Sequence, residues 1–357
     1  MTLRPLAFIT GLAVSLFIPA LSMSLPASAM GVSAQTTKTE NKAVVTPQAM
    51  AYIAQNINEP AEKRAEALRF ISQYPNENSL VSVARALKDK NPIVREAAIA
   101  GAMPYPLEHR YRMVSPLLQD DIEAVRFAAT EHLVKDFEQL QMGQQAELRS
   151  HADKLITHLN SQQLEVQSSS AQPTDIQHVY SQKLLLADLY RWTLRPNMAQ
   201  NIYQALLSSK DKTSELYLSL SNNYYAQGKD LQALDTLDKG LEFDSSDANL
   251  HYSKALTLVR LKQKEVAAIS MNKATELAPE NAYYWYLNGV LQEPLDIDLS
   301  IKSFEQAYLI SGSPENLYAM CDIYIRNNHK NTEECISALA EIAPAQVIND
   351  LRSKQSH

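Results

Sequence analysis

The chain repeats itself at two different periods, and that restricts it to architectures made by stacking small units. From residue 47 to about 136 the period is 31. Lys63-Arg64-Ala65-Glu66-Ala67, Val94-Arg95-Glu96-Ala97-Ala98 and Val125-Arg126-Phe127-Ala128-Ala129 stand at that spacing. Six residues before each arginine stands Asn58, Asp89 or Asp120, and three after it stands Ala67, Ala98 or Ala129. From Tyr180 the period becomes 34, with copies at 180–213, 214–247, 248–281 and 282–313, the last about two residues short. Small residues recur at Ala187, Ser221, Ala255 and Gly289, and again at Ala199, Ala233, Ala267 and, allowing one deletion, Ser300. Bulky residues recur at Tyr190, Tyr224 and Leu258, and at Tyr203, Leu237, Met271 and Phe304. Small residues where backbones touch and large ones where gaps need filling describe paired helices that share a core with their neighbours. Only 8 of the 357 residues are glycine, so glycine-rich phosphate loops and nucleotide-binding turns are excluded with them.

The first columns resemble HEAT repeats over about ninety residues. In that reading Asp89, Arg95, Asp120 and Arg126 are structural joints at the turn before each second helix, where an Asp caps the helix and a neighbouring Arg pairs with it. A closing helix is expected over Gln144–Leu159, since Leu148, Ala152, Leu155, Ile156 and Leu159 fall on one face. Gln167-Ser168-Ser169-Ser170-Ala171-Gln172-Pro173 then reads as a boundary or loop. The 34-residue columns resemble tetratricopeptide repeats, with Pro279 at the family's terminal proline. A degenerate fifth hairpin follows at 314–344, its register open by one residue. The expected fold is an all-α solenoid: HEAT-like helical repeats at 46–160, a linker at 161–179, the tetratricopeptide array at 180–344 and a tail at 345–357. This order is similar to the non-haem half of exported multihaem cytochromes that carry these repeats. Those bind haem through C-x-x-C-H motifs, and this chain has none. The resemblance implies architecture and compartment, not electron transfer, and it makes a multihaem cytochrome one class of partner.

Residues 1–29 read as a secretory signal peptide, with Arg4, an apolar stretch from Leu6 to Leu25 and Ala27-Ser28-Ala29 as the cleavage site. Val32-Ser33-Ala34 is a second candidate site, and an uncleaved anchor is the competing reading, since about twenty apolar residues can span a bilayer. Residues 30–45 are expected to be a flexible lead-in. Cleavage near Ala29 leaves 32 basic and 40 acidic residues, a net charge of −8, in a periplasmic or secreted protein. That charge provides no basic field for nucleic acid or anionic lipid. No stable membrane insertion is expected after cleavage.

Chemistry-bearing motifs are missing from the sequence. No H-E-x-x-H, C-x-x-C, D-x-D-x-D-G or G-x-S-x-G occurs, and His151 and His158 are two turns apart. No catalytic residue, metal site or cofactor is expected, and the chain reads as a non-enzyme. In the tetratricopeptide family, repeat positions 2, 5, 9, 12 and 13 line a concave groove. By that resemblance the candidate partner groove is Trp192, Tyr225, Tyr252, Arg260, Tyr283, Tyr286, Tyr318 and Arg326, residue types enriched at binding hot spots. The competing reading packs the aromatics between repeats or against a terminal helix. Cys321 and Cys335 fall in one hairpin, so an oxidising compartment permits a disulfide; two buried free thiols are the alternative. The functional reading is an exported protein–protein interaction scaffold or adaptor, linked to a periplasmic redox or envelope system. An assembly chaperone for an exported metalloprotein is the second reading, and an enzyme the third.

Overall fold

The computed structural model describes residues 46–166 and 173–354. The expected signal peptide and lead-in, and residues 167–172 of the polar stretch, lie outside them. Among the described residues the chain forms eighteen α-helices and no β-strand, an α-solenoid. No helix there is long and apolar enough to cross a membrane.

The first array comprises α1 (Pro47–Gln55), α2 (Ala61–Ile71), α3 (Glu77–Ala86), α4 (Pro92–Gly101), α5 (Leu107–Val114), α6 (Glu123–Val134) and α7 (Met142–Val166). Helix starts follow local chemistry: Thr46 caps α1 ahead of Pro47, Asn91 caps α4 ahead of Pro92, and Asn76 forms a capping box on α3. Helices α2, α4 and α6 lie side by side. Their period-31 column Ala67, Ala98 and Ala129 is fully buried, and so are Val94 and Val125.

A charge ladder joins these three helices. Arg95 donates through Nε and Nη2 to the two carboxylate oxygens of Asp120, both at 2.7 Å, across 25 residues of sequence. Its Nη1 donates to the carbonyls of Asp89 and Lys90 at 2.8 and 3.1 Å. Arg64 donates to Asp89 through Nη2 alone, its Nε going to the Ala54 carbonyl at 3.3 Å, and Arg126 makes the carbonyl half of the pattern with Asp120 and Asp121 at 2.7 and 3.1 Å. The expected role is corrected in two respects. Asp89 and Asp120 do not cap a helix: each accepts the backbone N–H two residues on, and the residues at the N-cap are Asn91 and Ile122. In the first copy that turn belongs to Asn56 rather than Asn58, because the residue two after Asn58 is Pro60, which has no N–H to donate. Burial alone would raise the carboxyls of Asp89 and Asp120. The Arg64 and Arg95 hydrogen bonds, the backbone N–H groups and the arginine charges outweigh it and hold both below their ordinary value.

The second array comprises α8 (Pro173–Trp192), α9 (Pro196–Leu207), α10 (Ser214–Ala226), α11 (Asp230–Phe243), α12 (Ala248–Arg260), α13 (Lys264–Leu277), α14 (Ala282–Gln292), α15 (Ile297–Ser311), α16 (Pro314–Arg326), α17 (Thr332–Ala340) and α18 (Ala345–Arg352). Both small-residue columns are buried where paired helices cross. Ser300 donates to the Gly289 carbonyl at 2.8 Å, so the shortened fourth copy keeps its contact. A Cβ on Gly289 would lie 2.9 Å from the Phe304 ring, too close for any side chain. The turn within each of the first three hairpins uses one left-handed residue: Leu194, Gly228 and Lys262, at φ 62°, 69° and 61°. In the fourth, where residues are missing, the Asp296 N–H instead closes directly on the Gln292 carbonyl at 2.7 Å.

Two expected boundaries are corrected. Helix α7 continues to Val166 and α8 begins at Pro173, so most of 161–179 is helix rather than linker. Leu186 and Leu189 of α8 belong to the same apolar core as the first array. Arg149 donates to the Thr193 carbonyl at 2.8 Å, and Arg195 pairs with Asp153 at 2.7 Å. The expected tail at 345–357 contains α18, which buries Leu351 completely.

Cys321 and Cys335 are disulfide-bonded, with Cα atoms 5.5 Å apart. The His329 N–H donates to the Tyr324 carbonyl as Arg195 does to Tyr190, which sets the register of the fifth hairpin. Cys321 then occupies the slot of Ala187, Ser221, Ala255 and Gly289. Two additional residues in the turn bring Cys335 to the slot of Ala199. The disulfide stands where the other hairpins place two small residues.

Replacing Arg95 by Ala strands the nearly buried Asp120 carboxylate and should lower stability by about 3 kcal/mol. Adding Asp120→Ala should return part of that loss in urea unfolding, and equal destabilisation by single and double variants would contradict the ladder. Thiol titration of denatured, unreduced protein should find no free thiol; the reduced chain should be less stable by about 3 kcal/mol under the loop-closure estimate.

Candidate functional site

The first helix of each hairpin in the second array (α8, α10, α12, α14, α16) presents a row of side chains that reach the next such helix. Arg260 on α12 lies over the Tyr225 ring of α10 at 4.1 Å, held by Asp230 at 2.7 Å. Tyr252 on α12 stacks on Tyr284 of α14 at 4.9 Å and meets Tyr283 edge-on at 6.3 Å. The Tyr284 hydroxyl donates to Asn249 Oδ1 at 2.7 Å. Arg326 on α16 pairs with Glu293, at the end of α14, and with Asp322.

The eight candidate groove residues separate into two groups. Tyr225 and Tyr283 are 52 % and 56 % exposed, and Arg260 is exposed with them. Tyr252 packs against the next repeat, and Tyr286 against the second helix of its own hairpin, edge-on to Phe304 at 5.7 Å. Burial, followed by the neighbouring Tyr283 and Tyr284, pushes the Tyr252 hydroxyl up to about 12. The Tyr318 hydroxyl accepts from the Lys354 ammonium at 3.0 Å, and Trp192 lies near both Lys135 and Arg191, at 5.6 and 5.2 Å.

At the α8 end the face turns into a cleft of about 330 Å³ where α6 of the first array meets the second. Glu131 and Lys135 form one wall, and Asp188, Arg191, Trp192 and Glu215 the other. Asp188 is buried and fully engaged: it accepts from the Tyr203 hydroxyl at 2.6 Å, Arg191 at 2.8 Å and Ser219 at 3.3 Å. Burial would lower the Arg191 guanidinium, but Tyr203 and Asp188 keep it above its ordinary value. The Asp188–Arg191 pair is internally neutralised and positions the floor of the cleft. It is not arranged as an acid or base with an open proton. Among the described residues, no group of three or more His, Cys, Asp or Glu side chains is placed to hold a metal ion.

Sequence reasoning missed Lys135, Asp230 and Lys354 as members of this face. Lys135 comes from the other array and Lys354 from beyond the last repeat, so no repeat column could mark them.

No family model matches the chain, and no curated protein does. Solved structures similar to part of it include YrrB, a TPR protein with an unusual peptide-binding site, at 18 % identity over 48 % of this chain and 91 % of that one, with a TM-score of 0.41. MamA (residues 41 to the end) from Desulfovibrio magneticus RS-1 shares 16 % identity over 46 % of this chain and 94 % of that one, with a TM-score of 0.39. A crystal structure of MamA shares 18 % identity over 47 % and 95 %, with a TM-score of 0.39. Likeness of this degree carries no information about what the face holds.

Proposed function

We propose that the chain is an exported scaffold or adaptor that holds a partner protein along the first-helix face of its second array. The observation that carries this reading is the exposure of Tyr225 and Tyr283, each more than half open, with Arg260 over the Tyr225 ring, on the first helices of the array. Tyrosine and arginine are the residues that most often dominate binding energy, and here their backbones are held rigid by buried crossings. Export is supported by the A-x-A leader pattern in residues 1–29 and by the Cys321–Cys335 disulfide, which suits an oxidising compartment such as the periplasm. A multihaem cytochrome is the partner class that the sequence resemblance favours, and a periplasmic redox or envelope system is the corresponding setting.

Affinity purification from periplasm, followed by titration of the retained partner, tests the reading. A folded partner should be retained in stoichiometric amount. Tyr225→Ala and Tyr283→Ala should each weaken it by roughly tenfold or more, the effect of removing a hot spot of about 2 kcal/mol, with helicity unchanged. Unchanged affinity in both variants would overturn the docking face. Retention of unfolded segments in substoichiometric amount would favour an assembly chaperone instead.

A further inference from the structure

At three places along this face a cation lies near an aromatic side chain, and each cation is tied to a carboxylate. Lys135 near Trp192 pairs with Glu131, Arg260 over Tyr225 pairs with Asp230, and Lys354 at the Tyr318 hydroxyl pairs with Asp322. The third cation comes from beyond the last repeat. Lys354 follows the end of α18 rather than standing on a helix of the face, and it reaches back across 32 residues to the Asp322 carboxylate at 2.7 Å and across 36 to the Tyr318 hydroxyl at 3.0 Å.

The contact is not what holds α18 in place. That helix is anchored by fully buried Leu351 and by Arg352, whose guanidinium donates to both oxygens of Glu333 at 3.0 and 2.7 Å. Without the Lys354 ammonium, the charges of the described residues at this end of the face are Glu293, Asp322 and Arg326, an excess of one negative charge beside the Tyr318 hydroxyl. A phenol oxygen and a carboxylate both accept hydrogen bonds from an ammonium or guanidinium group, and the carboxylate's charge favours a cation over a neutral or anionic group.

We propose that Tyr318 and Asp322 form a subsite for a basic side chain of the bound partner, and that Lys354 occupies it in the free chain. The proposal rests on the docking reading above and names the chemistry of one element of the partner: a lysine or arginine on the segment that passes α16. Lys354 acts as a tethered competitor. A tether this short gives a local concentration on the millimolar scale, so release of Lys354 should improve a weak lysine ligand by a few-fold rather than by orders of magnitude.

The test uses the full exported chain, the peptide Ac-Gly-Lys-Gly-amide and its Nε-acetylated form, with binding read from the backbone amide shifts of Tyr318 and Asp322. Lys354→Ala should bind the lysine peptide about fivefold more tightly than the parent chain. Acetylation of the peptide should abolish the shifts, and so should Asp322→Asn added to Lys354→Ala. Equal binding by parent and Lys354→Ala, or equal binding of the acetylated peptide, would overturn the proposal. A chain ending at Arg352 provides the same comparison should Lys354→Ala disturb the amide spectrum of α18. The peptide assay needs no partner, so its failure would leave the Tyr225 and Tyr283 result standing, and a failed docking face would leave the lysine subsite to be judged alone.

Discussion

Close approach of paired helices at their crossings is the constraint on which the second array depends. Ala187 and Ala199, Ser221 and Ala233, and Ala255 and Ala267 stand at equivalent positions on the paired helices, all buried. At the fourth crossing Gly289 lies against Phe304 with no room for a Cβ, and Ser300 donates to its carbonyl. At the fifth the two small residues become a disulfide. The first helices are thereby held at a regular spacing, and regular spacing lets a side chain on one reach the next. Arg260 over Tyr225 and Tyr252 on Tyr284 are consequences of that spacing. In the first array the same task falls to the Arg64–Asp89 and Arg95–Asp120 pairs, which fix neighbouring copies through charge-assisted bonds.

The two arrays form one stack because α8 belongs to both. Its Leu186 and Leu189 face the core of α1 to α7, while Leu184 and Ala187 face the core of the second array. Arg149 and Asp153 of α7 hold the turn after α8 from the outside. A repeat array is stable only where each unit has neighbours to bury its apolar face. The change of period at residue 180 is therefore a change of repeat type within a continuous core. That continuity also brings Lys135 and Glu131 of α6 to the edge of the face carried by the second array.

Much of this was legible in the sequence, because repeat columns report burial directly. Both small-residue columns and the 31-residue core columns lie where their spacing placed them. The misreadings have local causes. Asn58 stands in the Asp column, but Pro60 two residues on has no N–H to donate, and the turn is made by Asn56 instead. Helix α18 was read as a tail since it is eight residues long and buries only Leu351 completely. Which aromatics are exposed and which pack is not legible, because Tyr252 and Tyr283 are alike in sequence and differ only in what the adjacent helix offers. Tyr252 finds the Tyr284 ring; Tyr283, on the outer side, finds solvent on more than half of its surface.

Continuity through α8 is the claim that everything at the face requires, and native-state hydrogen exchange tests it most directly. Amides of α8 at Leu186 and Leu189 should exchange with the same free energy of opening as those of α6 and α10, through one cooperative unit. Early exchange of α7 and α8, with separate opening energies for the helices before and after them, would contradict a single stack.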